Sequence, residues 1–317
     1  MDIRQLRYFL AIVEEGSFSR AAKRLNIAQP ALSLHVRKME ETLGTPLLLR
    51  HSSGVSATEA GSLLVERARP LLAGFDHMHE ELHQVGKQPG GTVRIGLPGT
   101  ISGILSVPLI AHIHRRHPRI KLIIAEAMSG FVGEWLEEGR IDLGVLYGAT
   151  NSRQVRLEPL LQEELVILLP TGITDSAPAS LATLTSMPLI LPSASHGLRR
   201  MIQQRMQEAG LTFDPAIEVD SYACIKRLVQ DGFGCSVLPV HAVVEEVERG
   251  LLQARPFADD RLWRSAYLAS HSTRLLSRAA TAASLCLREV TAELIGQGNW
   301  LGASDVQSTP EIDHHDH

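Results

Sequence analysis

Five basic side chains, Arg20, Lys23, Arg24, Arg37 and Lys38, fall in a stretch that holds no acid between Glu15 and Glu40. Cations without neighbouring carboxylates suit the binding of anions, and spread along two adjacent helices they suit a phosphate backbone. The whole chain of 317 residues carries a formal charge of -4, so any docking on nucleic acid has to be local. Side chains that hydrogen-bond base edges lie among the cations. Gln29, Ser33 and His35 are of this kind, and Leu34 can pack on a thymine methyl. Arg20, Arg24, Arg37 and Lys38 suit phosphate clamping, which sets position without reading sequence. Amides near Ser17 and Ser19, at a helix start, suit a phosphate as well. On charge alone, the solvated basic face of an ordinary three-helix bundle accounts for the same residues equally well.

The elements around these side chains favour the phosphate reading. Ile3, Leu6, Phe9, Leu10 and Val13 recur at helical spacing, and Gly16 stops that helix. Ser17 is placed to N-cap a second helix that ends near Leu25. Asn26, Ile27 and Ala28 form a tight turn. Pro30 then sits in the first turn of a third helix, where its missing N–H costs nothing. Leu32, Val36, Met39 and Leu43 face inward on that helix. The opposite face is centred on Pro30, Leu34, Arg37 and Lys38 and would meet a groove. Residues 47–51, 52–54 and 55–56 read as strand, turn and strand, a small wing that carries Arg50 toward a phosphate or the minor groove. Thr58 is the expected N-cap of a long helix. There Leu64, Ala68, Leu71, Phe75, Met78, Leu82 and Val85 step by four and three, a seam that needs a partner helix. Pro70 predicts a bend in it. Residues 86–91 read as a hinge.

From Thr92 the pattern changes. Apolar strand-like runs at 93–97, 120–125, 141–147, 165–169, 189–191, 216–219, 235–238 and 266–269 alternate with helical stretches. That alternation predicts an α/β fold with a mostly parallel sheet covered on both faces, and its length suits two lobes. Cys224, Cys235 and Cys286 show no metal spacing and suit core positions in a reducing compartment. Gly232-Phe233-Gly234 lacks the third glycine of a dinucleotide fingerprint. No catalytic residues, metal site or cofactor are expected. The start of the chain has no apolar signal core and no run is long enough for a membrane span, which makes the cytoplasm the expected location.

Residues 1–61 resemble the winged helix-turn-helix of the LysR-type transcriptional regulators. The matching pieces are LRYFLAIVEEGSFSRAAKRLNIAQPALSLHVRKMEETLGTPLLLR and TEAG at Thr58 to Gly61, and a weaker likeness runs to about residue 295. The resemblance implies that Gln29, Pro30 and Ser33 enter the groove and that Arg50 is the wing arginine. Leu34 stands where many members carry arginine, and Leu49 where an aromatic is common. It also implies a helix-turn-helix at about 18–37 within a DNA-binding domain at 1–58, a dimerisation helix at 59–88 and an effector domain at 89–300. That domain would resemble a periplasmic solute-binding protein, with lobe I at about 92–161 and 266–298 and lobe II at about 162–265. Residues 301–317 read as a disordered tail.

In such sheets ligands sit beyond the carboxyl ends of strands, near helix N-termini. Thr100 and Ser102, Ser129, and Ser193, Ser195, His196 and Arg199 occupy three such places. Tyr147 and Ser221 lie at another strand end and another helix start. A serine or threonine before a helix is more often only its cap. The resemblance further implies double-stranded promoter DNA, a small anionic effector, RNA polymerase and other copies of the chain, as dimer or tetramer, as partners, with no membrane. The competing reading is a cytoplasmic solute-binding or enzymatic protein whose N-terminal unit only oligomerises.

Overall fold

The structure is a computed structural model, and it describes residues 1–52, 54–83, 88–148, 152–173, 179–194, 196–258 and 262–306. The chain forms two compact units, Met1–Lys87 with the segment Glu137–Arg140, and Gln88–Leu136 with Ile141–His317. No helix among the described residues is long and apolar enough to cross a membrane.

In the N-terminal unit, α1 (Ile3–Glu15) opens on a reciprocal capping box between Asp2 and Gln5 and closes at Gly16, which is left-handed at φ 57°. Ser17 caps α2 (Phe18–Leu25), and Asn26, also left-handed, ends it. Pro30 lies in the first turn of α3 (Gln29–Leu43). Two small cores result. Ala11, Ile12, Phe18, Ala21, Ala22, Leu32 and Val36 lock α1, α2 and α3 together. Leu6, Phe9, Leu10, Met39, Leu47, Ala68 and Leu72 join α1 and α3 to α4 (Glu59–His83). Leu43, expected to face inward, is exposed at the end of α3.

The wing is an antiparallel pair, β1 (Leu48–His51) and β2 (Gly54–Ala57). Glu40 anchors its root by accepting from the Leu47 and Leu48 amides at 2.8 and 3.3 Å. Thr58 Oγ1 accepts from the Gly61 amide at 2.9 Å and donates to the Pro46 carbonyl at 2.8 Å, fixing where α4 begins. Gly61 is required there, because a Cβ would stand 2.1 Å from the Leu47 carbonyl oxygen. α4 runs on through Pro70. Its first half turns Ala68 and Leu72 into the core, whereas Leu71, Met78 and Leu82 are exposed. Phe75 is half-buried, so among the described residues the uncovered part of the predicted seam is Leu71, Met78 and Leu82; Val85 lies outside the described residues.

In the second unit the elements alternate as the apolar runs predict. They are β3 (Gly91–Leu97), α5 (Gly99–Arg116), β4 (Ile120–Glu126), α6 (Ser129–Glu137), β5 (Leu143–Tyr147) and β6 (Val155–Pro170). β7 (Leu189–Leu191), α7 (Gly197–Glu208), β8 (Pro215–Glu218), α8 (Tyr222–Gln230), β9 (Ser236–Pro239), α9 (Val244–Glu248) and β10 (Leu252–Pro256) follow. β11 (Leu262–His271), α10 (Arg278–Gly296) and β12 (Ala303–Ser304) complete the chain. β3 pairs in parallel with β4 and β5, and β7 with β8. The long strands β6 and β11 are antiparallel to each other and to their remaining neighbours. The expected predominance of parallel pairing is thus confined to the flanks. A chain that leaves one core on β6 and returns on β11 must run in opposite directions on the two strands. Pro159, which has no N–H for the ladder, sits opposite the register shift between Ala266 and Tyr267.

One core gathers residues from Val93 to Leu161 and from Ala266 to Trp300, and a second gathers residues from Leu165 to Leu262. β6 and β11 thread both. Residues 301–306, read from sequence as the start of a disordered tail, are ordered. Trp300 is buried, and Ala303 and Ser304 pair with Glu163 and Gln162 of β6. One apolar anchor followed by a strand register suffices to hold a polar segment that composition alone marks as loose.

Candidate functional site

The exposed face of α3 carries Pro30, Leu34, Arg37 and Lys38, with Gln29, Ser33 and His35 half-buried beside them. Leu34 is 49% exposed, a large apolar side chain held out into water in the middle of a cationic surface. Arg37 and Lys38 have no ion-pair partner among the described residues. Arg50 reaches back from the wing to donate to Ser33 Oγ at 2.8 Å, with its guanidinium 4.4 Å from the Phe18 ring centre. His35 stacks edge-on against Tyr8, ring centres 5.1 Å apart. The wing and α3 are thereby fixed to each other.

Arg20 and Arg24 are placed differently from Arg37 and Lys38. Arg20 Nε donates to the Glu15 carbonyl at 3.0 Å. Arg24 Nη1 donates to Glu14 at 2.8 Å and to Glu15 at 3.2 Å, and the Glu14 hydrogen bond is the main cause of its raised pKa. Both remain exposed but are tied to the acidic end of α1. Ser17 is occupied as the cap of α2, and Ser19 is exposed in its first turn.

A second site forms inside the C-terminal unit around two charges that lie directly opposite each other on adjacent strands, Glu163 on β6 and Arg264 on β11. Both side chains are almost fully buried. Arg264 Nε donates to Glu163 Oε2 at 2.9 Å, and Nη2 donates to Thr100 Oγ1 at 3.0 Å and to Tyr147 Oη at 2.9 Å. The Tyr147 hydroxyl donates to Glu163 Oε2 at 2.8 Å, leaving Thr100 to donate to Tyr147 at 3.0 Å. Trp300 Nε1 donates to Glu163 Oε1 at 3.3 Å. His241 Nε2 donates to the Thr100 carbonyl at 3.1 Å. The Arg264 guanidinium also lies 3.7 Å from the centre of the Tyr147 ring. Burial opposes the Arg264 charge, but Tyr147 and Glu163 more than offset it and raise its pKa. Burial also pushes the Tyr147 hydroxyl well above its ordinary value.

Three helix N-termini meet at this pair. α5 begins at Gly99 and Thr100, and a Cβ on Gly99 would stand 3.7 Å from the Tyr222 ring at the start of α8. The Tyr222 hydroxyl lies 2.9 Å from Nε2 of His196, the cap of α7. His196 Nδ1 accepts from the Leu198 amide at 3.2 Å, so the ring proton sits on Nε2 and donates to Tyr222. The Tyr222 hydroxyl proton is then left for another acceptor. Burial, with help from Arg264, lowers the His196 pKa to about 4, so the ring is neutral. Burial likewise lowers that of His241 and raises that of Tyr222, on which Arg264 acts in the opposite sense. Arg264 Nη1 is buried and has no hydrogen-bond partner among the described residues. A cationic donor and a hydroxyl donor, beside helix N-termini and neutral histidines, suit a small anion.

Residues 3–62 match the family model for the bacterial regulatory helix-turn-helix protein, lysR family, and residues 86–292 match that for the LysR substrate binding domain. The chain belongs to the LysR family of transcription regulators. The nitrogen assimilation regulatory protein nac of Escherichia coli (strain K12) is 32% identical over 243 residues, 76% of this chain and 79% of its own. A variant of full-length OxyR from Pseudomonas aeruginosa shares the fold at a TM-score of 0.73 and 27% identity, over 92% of this chain and 95% of that one. CbnR in complex with its target DNA shares it at a TM-score of 0.67 and 21% identity, over 92% and 100%.

For this LysR regulator, the structure brings three of the sequence-predicted effector residues together, Thr100, Tyr147 and His196, and adds Glu163, Arg264, Tyr222, His241 and Trp300. The other described candidates are occupied elsewhere. Ser102 Oγ lies 3.0 Å from Ser106 Oγ within α5. Ser193 bonds Asp220 through its amide at 2.8 Å and its hydroxyl at 3.1 Å. Arg199 is buried against Glu218 at 2.8 Å and the Pro192 carbonyl at 3.2 Å, bracing α7 on β7 and β8. Ser221 caps α8. Ser195 lies outside the described residues, and α6 begins at Ser129. A signal for the missed pair does exist in the sequence. Leu161, Glu163 and Leu165, and Leu262, Arg264 and Ala266, put opposite charges on the inward phase of two apolar alternations.

Proposed function

We propose that this LysR-type regulator reads DNA with the exposed face of α3 and takes a small anionic effector, of the carboxylate class, at Arg264. In the first part, Gln29, Pro30, Ser33, Leu34 and His35 face the bases while Arg37, Lys38 and the wing Arg50 face phosphates. Arg20 and Arg24 join only if their bonds to Glu14 and Glu15 open. Two copies pair through the uncovered seam of α4, giving two recognition helices for two half-sites, and pairs assemble further into tetramers. The regulator works in the cytoplasm and contacts RNA polymerase at the promoter.

One observation carries the effector reading: Arg264 Nη1 is buried without a hydrogen-bond partner where three helix N-termini meet. Glu163 neutralises the Arg264 charge, so an arriving anion is held by directed donors and helix ends rather than by net charge. The Tyr222 hydroxyl and Thr100 lie on either side, from the two cores that β6 and β11 join. An anion touching both favours one arrangement of the cores over another, the differential contact a population shift requires.

The test titrates full-length protein with a panel of small mono- and dicarboxylates, reading thermal stability and affinity for operator DNA. Tyr222→Phe keeps the ring and removes the hydroxyl, and it should weaken the effective anion at least about tenfold, the worth of one charge-assisted hydrogen bond. An effector that binds this variant as tightly as the parent would remove the assignment.

A further inference from the structure

We propose a transition-metal site on the paired helices α5 and α10, formed by His112, Cys286 and Glu289 and suited to Zn²⁺. One ligand atom from each residue lies within 4.8 Å of the other two. Cys286 and Glu289 are three apart on α10 and so share a face, and His112 meets them from α5. His112 Nε2 is 3.2 Å from Glu289 Oε2. With metal bonds of about 2.0 Å to nitrogen or oxygen and about 2.3 Å to sulfur, tetrahedral ligands of this set stand roughly 3.3–3.5 Å apart. With all three donors already within 4.8 Å of one another, the sulfur has to approach the other two by at most about 1.3 Å, within the reach of side-chain rotation.

The donor set selects the ion. One thiolate, one imidazole and one carboxylate suit a borderline divalent cation, and they are too soft and too few for Mg²⁺ or Ca²⁺. Arg116 Nη1 donates to Glu289 Oε2 at 2.6 Å, which orients the carboxylate as a hydrogen-bonded outer neighbour does in metal sites. A separate feature leads to the same place. A cavity of about 400 Å³, lined by Arg116, His117, Leu285, Cys286 and Glu289 among others, opens beside the thiol. It gives an ion a route in and leaves room for water as a fourth ligand. Binding exchanges the Cys286 S–H bond for a metal–sulfur bond and releases one proton to solvent, with no change of oxidation state. The ion ties the later turns of α5 to α10, and α5 is the helix whose first turn holds Thr100.

The test uses the full chain with His314, His315 and His317 replaced by alanine, because those residues are an independent source of metal affinity. Co²⁺ is titrated first, then Zn²⁺ is used to displace it, with absorption spectra and equilibrium dialysis as readouts. The expected result is one ion per chain with a thiolate-to-cobalt charge-transfer band. Cys286→Ser should abolish the band, and His112→Ala and Glu289→Gln should each weaken binding at least about tenfold. Both of the latter lie at the rim of the site, so their folding is checked by circular dichroism. Absence of the band, substoichiometric uptake, or equal binding by the parent and the three variants would overturn the proposal.

Discussion

Replacing Arg37 and Lys38 together by alanine isolates the part of DNA binding that depends on free charge. Each chain presents these two cations without an ion-pair partner among the described residues, so a pair of chains joined through α4 presents four. Each phosphate contact contributes about 0.9 to the slope of log affinity against log salt, so losing four flattens that slope by about 3.6. Between 1 M and about 0.15 M salt, that change amounts to roughly three decades of affinity. The assay is fluorescence anisotropy on operator and on scrambled duplexes at five salt concentrations. The loss should be similar on both duplexes, since phosphate contacts do not read sequence. Arg20→Ala with Arg24→Ala serves as the comparison. Those cations are held by Glu14, Glu15 and the Glu15 carbonyl, and their removal should flatten the slope by less than half as much. Parallel salt lines for the parent and the Arg37, Lys38 variant would refute the reasoning.

Three further outcomes follow from the packing. Gly61→Ala drives a Cβ to 2.1 Å from the Leu47 carbonyl, so calorimetry should show the N-terminal unit destabilised by about 1–3 kcal/mol, an overpacking cost. Glu163→Gln leaves Arg264 buried without its counter-charge and should cost about 3–5 kcal/mol in urea unfolding of the C-terminal unit. His196 has a folded pKa of about 4 against an ordinary 6.5. Above pH 6.5 it is neutral folded or unfolded. As pH falls from 6.5 toward 4 the unfolded chain takes up the proton first, and stability should drop by about 3 kcal/mol in total. Unfolding of His196→Asn measured against pH should lack that part of the decline.

The N-terminal unit was legible because its signals are local. Gly16, Ser17, Asn26, Pro30 and Gly44 each act within one turn of their own position, and α1, α2 and α3 end where those residues stand. The exposed face of α3 followed from helical period alone. What charge could not convey was that Arg20 and Arg24 would fold back onto Glu14 and Glu15, which lie upstream of the acid-free stretch. In the C-terminal unit the alternation gave the layers but not the pairing. The apolar pattern marks β6 only over one end, because Gln162, Glu163 and Glu164 interrupt it in the middle of a strand of 16 residues. The site suffered for the same reason. Serines before helices resemble ligand sites in any sequence, and most proved to be caps or braces. The charges at the centre, Glu163 and Arg264, lie 101 residues apart in sequence and are joined only by the register of two antiparallel strands.

DNA reading by this regulator depends most directly on where α3 goes when the protein is bound. A photo-crosslinking amino acid in place of Leu34, the exposed apolar residue at the centre of that face, reports its neighbours within a bond length or two. With operator DNA the expected product is a crosslink to bases in the major groove of each of two half-sites. Crosslinks confined to protein, formed while the same sample stays bound to its operator, would contradict the account.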